Sequence, residues 1–144
     1  MASASLIAPL RRRSFRRLAA SYTVNELGDW MGIVALSVLV FDRTGSALAT
    51  TLLFLGTGFV PALIAPLLVA RVEQPPPRFV LPILYCGEAA AFGGLALLAS
   101  RFSLAGVVVL AAIDGALALT SRSLTRAVVV TLLSPQGQLR SGNA

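Results

Sequence analysis

Residues 11–41 read RRRSFRRLAASYTVNELGDWMGIVALSVLVF, a cluster of arginines followed directly by a long apolar run. A helix needs about 20 mainly apolar residues to cross the hydrocarbon core of a bilayer, which is about 30 Å thick. Three more runs of this kind follow along the chain. We therefore predict an all-α membrane protein with a transmembrane region at 19–120, whose four helices lie at about 19–41, 46–70, 79–100 and 103–120.

The composition supports a helical membrane protein over a soluble domain or a β-barrel. The 144-residue chain is 56% hydrophobic and 12% charged, with a mean hydropathy of +0.82. Soluble domains are about 25% charged. Transmembrane β-strands are about ten residues long and alternate in polarity, and the apolar runs of this chain are much longer than that.

The arginines predict the orientation of these helices. All 12 basic residues are arginines, and ten of them fall on the side that carries both termini once the four helices are threaded through a membrane. Only Arg43 and Arg101 fall on the other side. Short arginine-rich loops stay in the cytoplasm, so we expect both termini to be cytoplasmic and the protein to lie in the cell's inner (plasma) membrane. The net charge of +6 is explained by arginines that set the orientation of the helices. The sequence contains no recognisable nucleic-acid-binding module, so we expect no nucleic-acid partner.

The links between the helices are short, which predicts four helices packed as consecutive antiparallel hairpins. Residues 42–45 are predicted to form a tight outer turn, followed by Ser46 as the N-cap of the next helix, and residues 101–102 a second outer turn. The basic lead-in at 1–18 is expected to contain a short interfacial helix. Residues 121–144 are expected to form a cytoplasmic segment that either ends the fourth helix or extends along the membrane surface.

Four acidic residues lie inside the predicted helices: Glu26, Asp29, Glu88 and Asp114. A charged side chain at the centre of a transmembrane helix costs about 2.5–3.5 kcal/mol on insertion scales. No arginine lies equally deep in the predicted helices. We therefore expect these carboxyl groups to face a watery cavity, to be protonated, or to pair with cations on helices outside this chain.

Asn25, Glu26 and Asp29 share one face of the first helix, because residues three and four apart are neighbours on a helix surface. One interpretation is a polar stripe along a transport path, in which an acidic side chain binds a proton or a cation. Asp29 is then the preferred coupling group, because it is nearest the middle of the helix. The other interpretation is a buried acid that fixes helix packing. Both interpretations also apply to Glu88 and Asp114.

Small residues indicate close packing or hinges between helices. Gly28 and Gly32 form a Gly-x-x-x-Gly pair in the first helix, and Gly56 and Gly58 interrupt the second. Cys86 is the only cysteine and the chain has no histidine, so we expect neither an internal disulfide nor a metal site. No nucleophile stands beside a base and no phosphate-binding loop is present, so neither an enzyme nor a cofactor is predicted.

Two motifs carry a resemblance to a known family. The first is Glu26-Leu27-Gly28-Asp29-Trp30, preceded by the basic Phe15-Arg16-Arg17-Leu18, and the second is the turn Asp42-Arg43-Thr44-Gly45-Ser46-Ala47. The chain resembles the start of major facilitator superfamily transporters, most closely the bacterial efflux branch that includes the enterobactin-exporter and macrolide-exporter types. Residues 122–127 and 139–144 are similar to that family's link from helix four to helix five.

This resemblance implies the first part of a twelve-helix fold, in which the substrate is handled between two six-helix halves. It also implies proton-coupled efflux of a small molecule. The implied partners are the lipid bilayer, the substrate, protons, and either further C-terminal helices or other copies of the chain. The four helices alone are expected to be unstable or inactive.

The resemblance also points to gating residues in the loop between helices two and three. In the family this loop carries several basic residues that act in conformational gating. Here the candidates are Arg71, Glu73 and Arg78, and the three prolines between Glu73 and Arg78 depart from the family pattern.

Two other functions fit the sequence. One is a complete small four-helix exporter that acts as a homo-oligomer, since an acid in the first helix suits that class equally well. The other is a non-transport membrane subunit for assembly or regulation. The similarity of residues 121–144 to a link between helices four and five favours a partial transporter over both.

Overall fold

The computed structural model describes residues 11–72 and 75–133. Its α-helices are α1 (Arg13–Thr44), α2 (Ala47–Phe54), α3 (Val60–Val72), α4 (Pro77–Ser100) and α5 (Leu104–Leu133). One π-helical turn, Leu55–Phe59, joins α2 to α3. Among the described residues, four helical segments are long and apolar enough to cross a membrane: Arg13–Thr44, Ala47–Val72, Pro77–Ser100 and Leu104–Thr131. The prediction of an all-helical protein with four such helices is confirmed.

The first helix begins inside the basic lead-in. It runs unbroken from Arg13, so residues 13–18 are the first turns of α1, and the prediction of a separate short helix there is wrong. The physical reason is that no glycine or proline lies between Arg13 and Leu27 to end a helix. Arg13, Arg16 and Arg17 therefore belong to the first helix.

The turn after α1 is shorter than predicted. Residues 42–44 are the last residues of the helix, and the chain reverses at Gly45, whose φ of 62° is left-handed. The Gly45 N–H donates to the carbonyl oxygen of Phe41 at 2.7 Å, which closes the helix end. Ser46 caps α2 as predicted, because its Oγ accepts a hydrogen bond from the Ala49 N–H at 3.3 Å.

The π-helical turn in the second span precedes a proline. Proline has no N–H, and its ring clashes with the carbonyl four residues back in a regular α-helix. Here the turn before Pro61 is wider, and the Val60 N–H bonds to the carbonyl oxygen of Leu55, five residues back. α5 approaches this turn at Gly115, where a Cβ atom would lie 2.5 Å from the Thr57 oxygen and 2.8 Å from Pro61 Cγ. A side chain at position 115 would therefore separate the two helices.

One glycine of the predicted Gly-x-x-x-Gly pair packs closely among the described residues. Gly32 lies against the ring of Phe92, where a Cβ atom would overlap the ring, whereas no described atom lies within 4 Å of a Cβ placed at Gly28. In the second span, a Cβ at Gly56 would lie 2.9 Å from a valine side chain of α5, and one at Gly58 would meet no described atom within 4 Å. The packing interpretation is therefore confirmed for Gly32 and Gly56, and it stays a prediction for Gly28 and Gly58.

The last helix continues well beyond the predicted end of the fourth span at residue 120. It is α-helical from Leu104 to Leu133, so residues 121–133 are the end of that helix, the first of the two interpretations. No glycine or proline lies between Ala116 and Ser134, so the polar residues after 120 do not break the helix. Residues 1–10, 73–74 and 134–144 lie outside the described residues, and they include 139–144, the second part of the predicted link to a fifth helix.

Two apolar clusters connect the helices. One joins α1, α2, α4 and α5 through Val40, Ala49, Leu53, Leu95, Val107 and Ala111. The other joins α4 and α5 through Val80, Leu81, Leu84 and Leu124. Glu88 lies between the two clusters along α4 and is only 2% exposed. A buried carboxyl group therefore lies between the two apolar clusters.

Candidate functional site

Arg122 in α5 connects two acidic residues of α1. Its Nε bonds to Glu26, and its Nη2 donates to Asp29 Oδ2 at 3.1 Å. Glu26 and Asp29 are three residues apart on a helix and so face the same neighbour, and a guanidinium offers several donors in a fixed planar fork. Within residues 11–72 and 75–133, these are the two ion pairs that form.

The expectation that no arginine reaches Asp29 is wrong. The sequence placed Arg122 beyond the end of the fourth helix, with the charges that set the topology. Because α5 continues to Leu133, Arg122 instead lies on a regular helical turn beside α1. The cation that pairs with Glu26 and Asp29 therefore belongs to this chain, so no additional helix is needed to supply it.

Glu88 is held by one donor from each of two neighbouring helices. Asn25 Nδ2 of α1 donates to Oε2 at 2.5 Å, and Ser121 Oγ of α5 lies 2.9 Å from Oε1. The Ser121 hydroxyl also lies 3.0 Å from the carbonyl oxygen of Ala118, its alternative acceptor. Buried polar groups in proteins are nearly always hydrogen-bonded, and Glu88 follows this rule. Its contacts fit the packing interpretation.

The polar contacts attach α1 to α4 and α5 at one level. Asn25 reaches Glu88 of α4, while the next residue, Glu26, reaches Arg122 of α5. Ser121, which contacts Glu88, is in turn next to Arg122. Away from this level, α1 also meets the other helices through Val40 of the apolar cluster and through Arg43, whose Nη2 donates to the carbonyl oxygen of Ala99 in α4 at 3.1 Å. The two sets of contacts are therefore the polar attachments of α1 at the level of Glu88.

A cavity of about 360 Å³ lies beside these groups. Its polar and aromatic lining consists of Asp29, Trp30, Thr57, Phe92, Asp114 and Arg122. Asp114 Oδ1 is buried and has no hydrogen-bond partner among the described residues. Sites for small molecules are typically clefts of about 300–1,000 Å³, mostly apolar with a few polar groups. This cavity has the size and the lining of such a site.

A second cavity of about 270 Å³ lies between α1 and α4. Ser21, Asn25, Tyr85 and Glu88 supply its polar lining, and Asp29 lines it as well. The Tyr85 hydroxyl is buried and has no partner within the described part of the chain. Asp29 therefore borders both cavities, one with Arg122 and Asp114 on its wall and the other with Glu88.

The structure brings together the five residues singled out inside the helices, and it leaves the loop residues apart from them. Asn25 contacts Glu88, Glu26 and Asp29 contact Arg122, and Asp114 lines the larger cavity with Asp29. Arg71 and Arg78 are exposed, at the end of α3 and the start of α4, and neither lines a cavity described above.

The gating residues of the loop therefore remain a prediction. The Arg78 guanidinium lies 4.8 Å from the centre of the neighbouring Phe79 ring, a distance at which a cation and an aromatic ring attract. Glu73, the acidic member of the set, lies outside the described residues.

Sequence reasoning missed Arg122, Trp30 and Phe92 as members of the site. Arg122 could have been found from the uninterrupted helix-forming sequence between Gly115 and Pro135. Trp30 and Phe92 are aromatic residues on apolar helices. The local sequence does not show whether such a residue lines a cavity or faces lipid. Only the packing of α4 against α1 makes Phe92 a wall of both cavities.

The chain matches no family model, no curated protein and no solved structure. Four of its segments are helices long and apolar enough to cross a membrane. An argument about function therefore depends on the site and on the sequence motifs of α1 and of the turn that follows it.

Proposed function

We propose that these helices form part of a secondary active transporter of the major facilitator type, which exports a small molecule in exchange for protons. The observation that carries the proposal is the Asp29–Arg122 ion pair on the wall of a cavity about 360 Å³ in size. Asp29 lies halfway along α1, the depth at which a transporter handles its substrate and its coupling ion. The Leu27-Gly28-Asp29 motif supports the same assignment.

The placement of these charges favours transport over helix packing alone. A charged side chain within a span costs about 2.5–3.5 kcal/mol, and apolar residues of similar volume hold helices together at least as well as a buried ion pair. Asp29 and Arg122 border open space, so they do not fill a packed interface. Ionisable side chains in this situation typically mark ion or substrate pathways.

The proposed coupling step is the protonation of Asp29. A proton on this carboxyl group removes its negative charge and weakens its interaction with Arg122. α1 then loses one of its attachments to α5, while the Asn25–Glu88 hydrogen bond still holds it to α4. Proton binding thereby favours one arrangement of α1 over another, as a ligand must in order to shift a conformational equilibrium.

The test uses proteoliposomes containing the protein produced from its complete reading frame, with a pH-sensitive dye inside. Addition of a transported substrate should change the internal pH. Asp29→Asn keeps the shape of the side chain but cannot bind and release a proton, so it should abolish proton-driven transport while substrate exchange without a gradient continues. Asp42→Asn, at the exposed end of α1, is the matched control and should behave like the parent.

Two results would count against the proposal. If Asp29→Asn transports at the parent rate under a proton gradient, the coupling role is wrong and Asp29 is a packing residue. If the parent protein moves no protons with any compound of a broad substrate panel, proton-coupled transport itself is wrong.

A further inference from the structure

We infer that the basic start of α1 binds the phosphate group of an anionic phospholipid, on the side of the membrane that is predicted to be cytoplasmic. The binding groups are the guanidinium groups of Arg13, Arg16 and Arg17, which are exposed in the first turns of the helix. None of these residues lines either of the two polar cavities, so the lipid site does not depend on the proposed transport.

The three arginines share one face of α1, and that face points away from the other helices. Arg13, Arg16 and Arg17 are neighbours on the helix surface because they are three and four residues apart. Phe15 is only 8% exposed, and it lies about 200° around the helix from Arg13, because the two are two residues apart. Leu18 packs against the apolar cluster of α4 and α5. Phe15 and Leu18 therefore fix these turns with the arginines outward, where lipid surrounds a membrane protein.

These arginines have no carboxylate partner in the described part of the chain, where the two ion pairs that form both involve Arg122. Arg11 and Arg12, directly before the helix, add two more exposed positive charges. A guanidinium offers its N–H donors in a planar fork that matches the oxygens of a phosphate, and hydrogen bonds between charged partners are the strong ones. A phosphate group is therefore the ligand that this basic surface fits.

The depth of the arginines selects a lipid phosphate over a phosphate in solution. The hydrocarbon core extends about 15 Å from the middle of a bilayer, and the headgroup region extends to about 20–22 Å. Arg16 and Arg17 lie 13 and 12 residues before Asp29, which corresponds to about 18–20 Å along an α-helix. With Asp29 near the middle of the membrane, both arginines lie at the level of the lipid phosphates, and Arg13 lies one turn further out.

The orientation of the helices alone does not require this arrangement. Arginines anywhere in a short segment keep that segment in the cytoplasm, whether or not they contact lipid. Here three of them lie on one outward face of a regular helix that packing holds in place. Basic residues directly beside a span attract anionic lipids by about fivefold each, so a face with three arginines should select such a lipid from a mixed bilayer.

Spin-labelled lipids provide a direct test, because electron spin resonance separates lipid held at the protein surface from free lipid in the bilayer. The purified 144-residue chain is reconstituted in phosphatidylcholine with a trace of spin-labelled phosphatidylglycerol, or of spin-labelled phosphatidylcholine with the same acyl chains. We expect the protein to prefer the anionic lipid by about fivefold or more. Sodium chloride should reduce this preference, because salt screens charges at a surface.

Variants then locate the site. Arg16→Gln combined with Arg17→Gln should lower the preference to less than about half of the parent value, because two charges leave the outward face. The charge-matched control is Arg43→Gln combined with Arg101→Gln, which removes the two arginines of the predicted outer side and should keep most of the preference. Circular dichroism of each variant establishes that its helices are intact.

Three results would each overturn the inference: equal binding of the two lipids by the parent, a preference that salt does not reduce, and an equal loss in the two double variants. Inorganic phosphate and a short single-stranded RNA are added as competitors. If either displaces phosphatidylglycerol more than sodium chloride of the same ionic strength does, the surface binds a soluble anion and the lipid assignment is wrong.

The test is also independent of the transport proposal, because it involves neither a substrate nor a proton gradient. Loss of the lipid preference would leave proton-coupled transport standing. Conversely, a preference for phosphatidylglycerol at the start of α1 in a protein that moves no protons would support the lipid site and count against transport.

Discussion

The Nη2 of Arg122 in α5 lies 3.1 Å from Asp29 Oδ2 in α1, although 93 residues separate the two positions in the sequence. The same guanidinium also bonds to Glu26. This contact attaches the first span to the last, in addition to the apolar cluster in which Val40 of α1 lies with Val107 of α5. Its strength should therefore affect both the stability and the function of the protein.

Removal of Arg122 should destabilise the fold. Arg122→Gln leaves Glu26 and Asp29 without a cation, and breaking a buried pair in this way costs about 3–5 kcal/mol. The three side chains are 28%, 20% and 12% exposed, so we expect about 3 kcal/mol, the lower end of that range. The measurement is the free energy of unfolding in mixed micelles, followed by helical circular dichroism.

The matched control for this change is Arg126→Gln, an exposed arginine one turn further along α5. It should have little effect on the free energy of unfolding. The double variant Arg122→Gln with Asp29→Asn should lose less stability than the sum of the two single changes, because the residues interact. Additive losses would contradict the ion pair.

Replacing Glu88 by glutamine should lower the free energy of unfolding less than replacing it by alanine. Glu88→Ala leaves the Asn25 amide without its acceptor, while the Ser121 hydroxyl keeps the carbonyl oxygen of Ala118, and an unsatisfied buried polar group costs about 1–3 kcal/mol. Glu88→Gln keeps the volume and one acceptor oxygen, so its loss of stability should be clearly smaller. The comparison is made by the same unfolding measurement, and equal losses for the two variants would show that the hydrogen bonds contribute little.

Replacement by alanine should change the stability of the protein in opposite directions at Gly115 and at Gly28, two glycines within helices. Gly115→Ala places a Cβ atom 2.5 Å from a backbone oxygen of the π-helical turn, which cannot move as a side chain does, so we expect a loss of about 1–3 kcal/mol. Gly28→Ala meets no atom of the described residues within 4 Å and should gain up to about 1 kcal/mol from helix propensity. A loss in Gly28→Ala as large as in Gly115→Ala would contradict the packing described for α5.

The arginine distribution predicts that both termini and the loop between the second and third spans lie in the cytoplasm. Cys86 is exposed, so labelling is carried out in a Cys86→Ser background. An impermeant thiol reagent added outside intact cells should not label Pro76→Cys and should label Arg101→Cys. The reverse labelling pattern would show that the predicted topology is inverted.

The helices could be predicted because apolar composition is a local property. Four runs of sufficient length were enough to place the four spans, and Ser46 was recognisable as a cap from its position alone. The ends of the helices were harder to predict, because a helix can continue through polar residues and hydropathy does not show where it stops. Arg13 and Arg122 are both polar enough to look like loop residues, yet both belong to continuous helices.

The sequence by itself determined that Asn25, Glu26 and Asp29 lie on one side of the first span, since helix periodicity is sufficient for that. Only the tertiary structure decided their partners. Asn25 contacts Glu88, while Glu26 and Asp29 share Arg122, and Asp114 Oδ1 receives no hydrogen bond from the described part of the chain. The reason is physical: these pairings depend on the register and separation of α1, α4 and α5, which are set by packing between residues distant in the sequence and not by the pattern within any one helix.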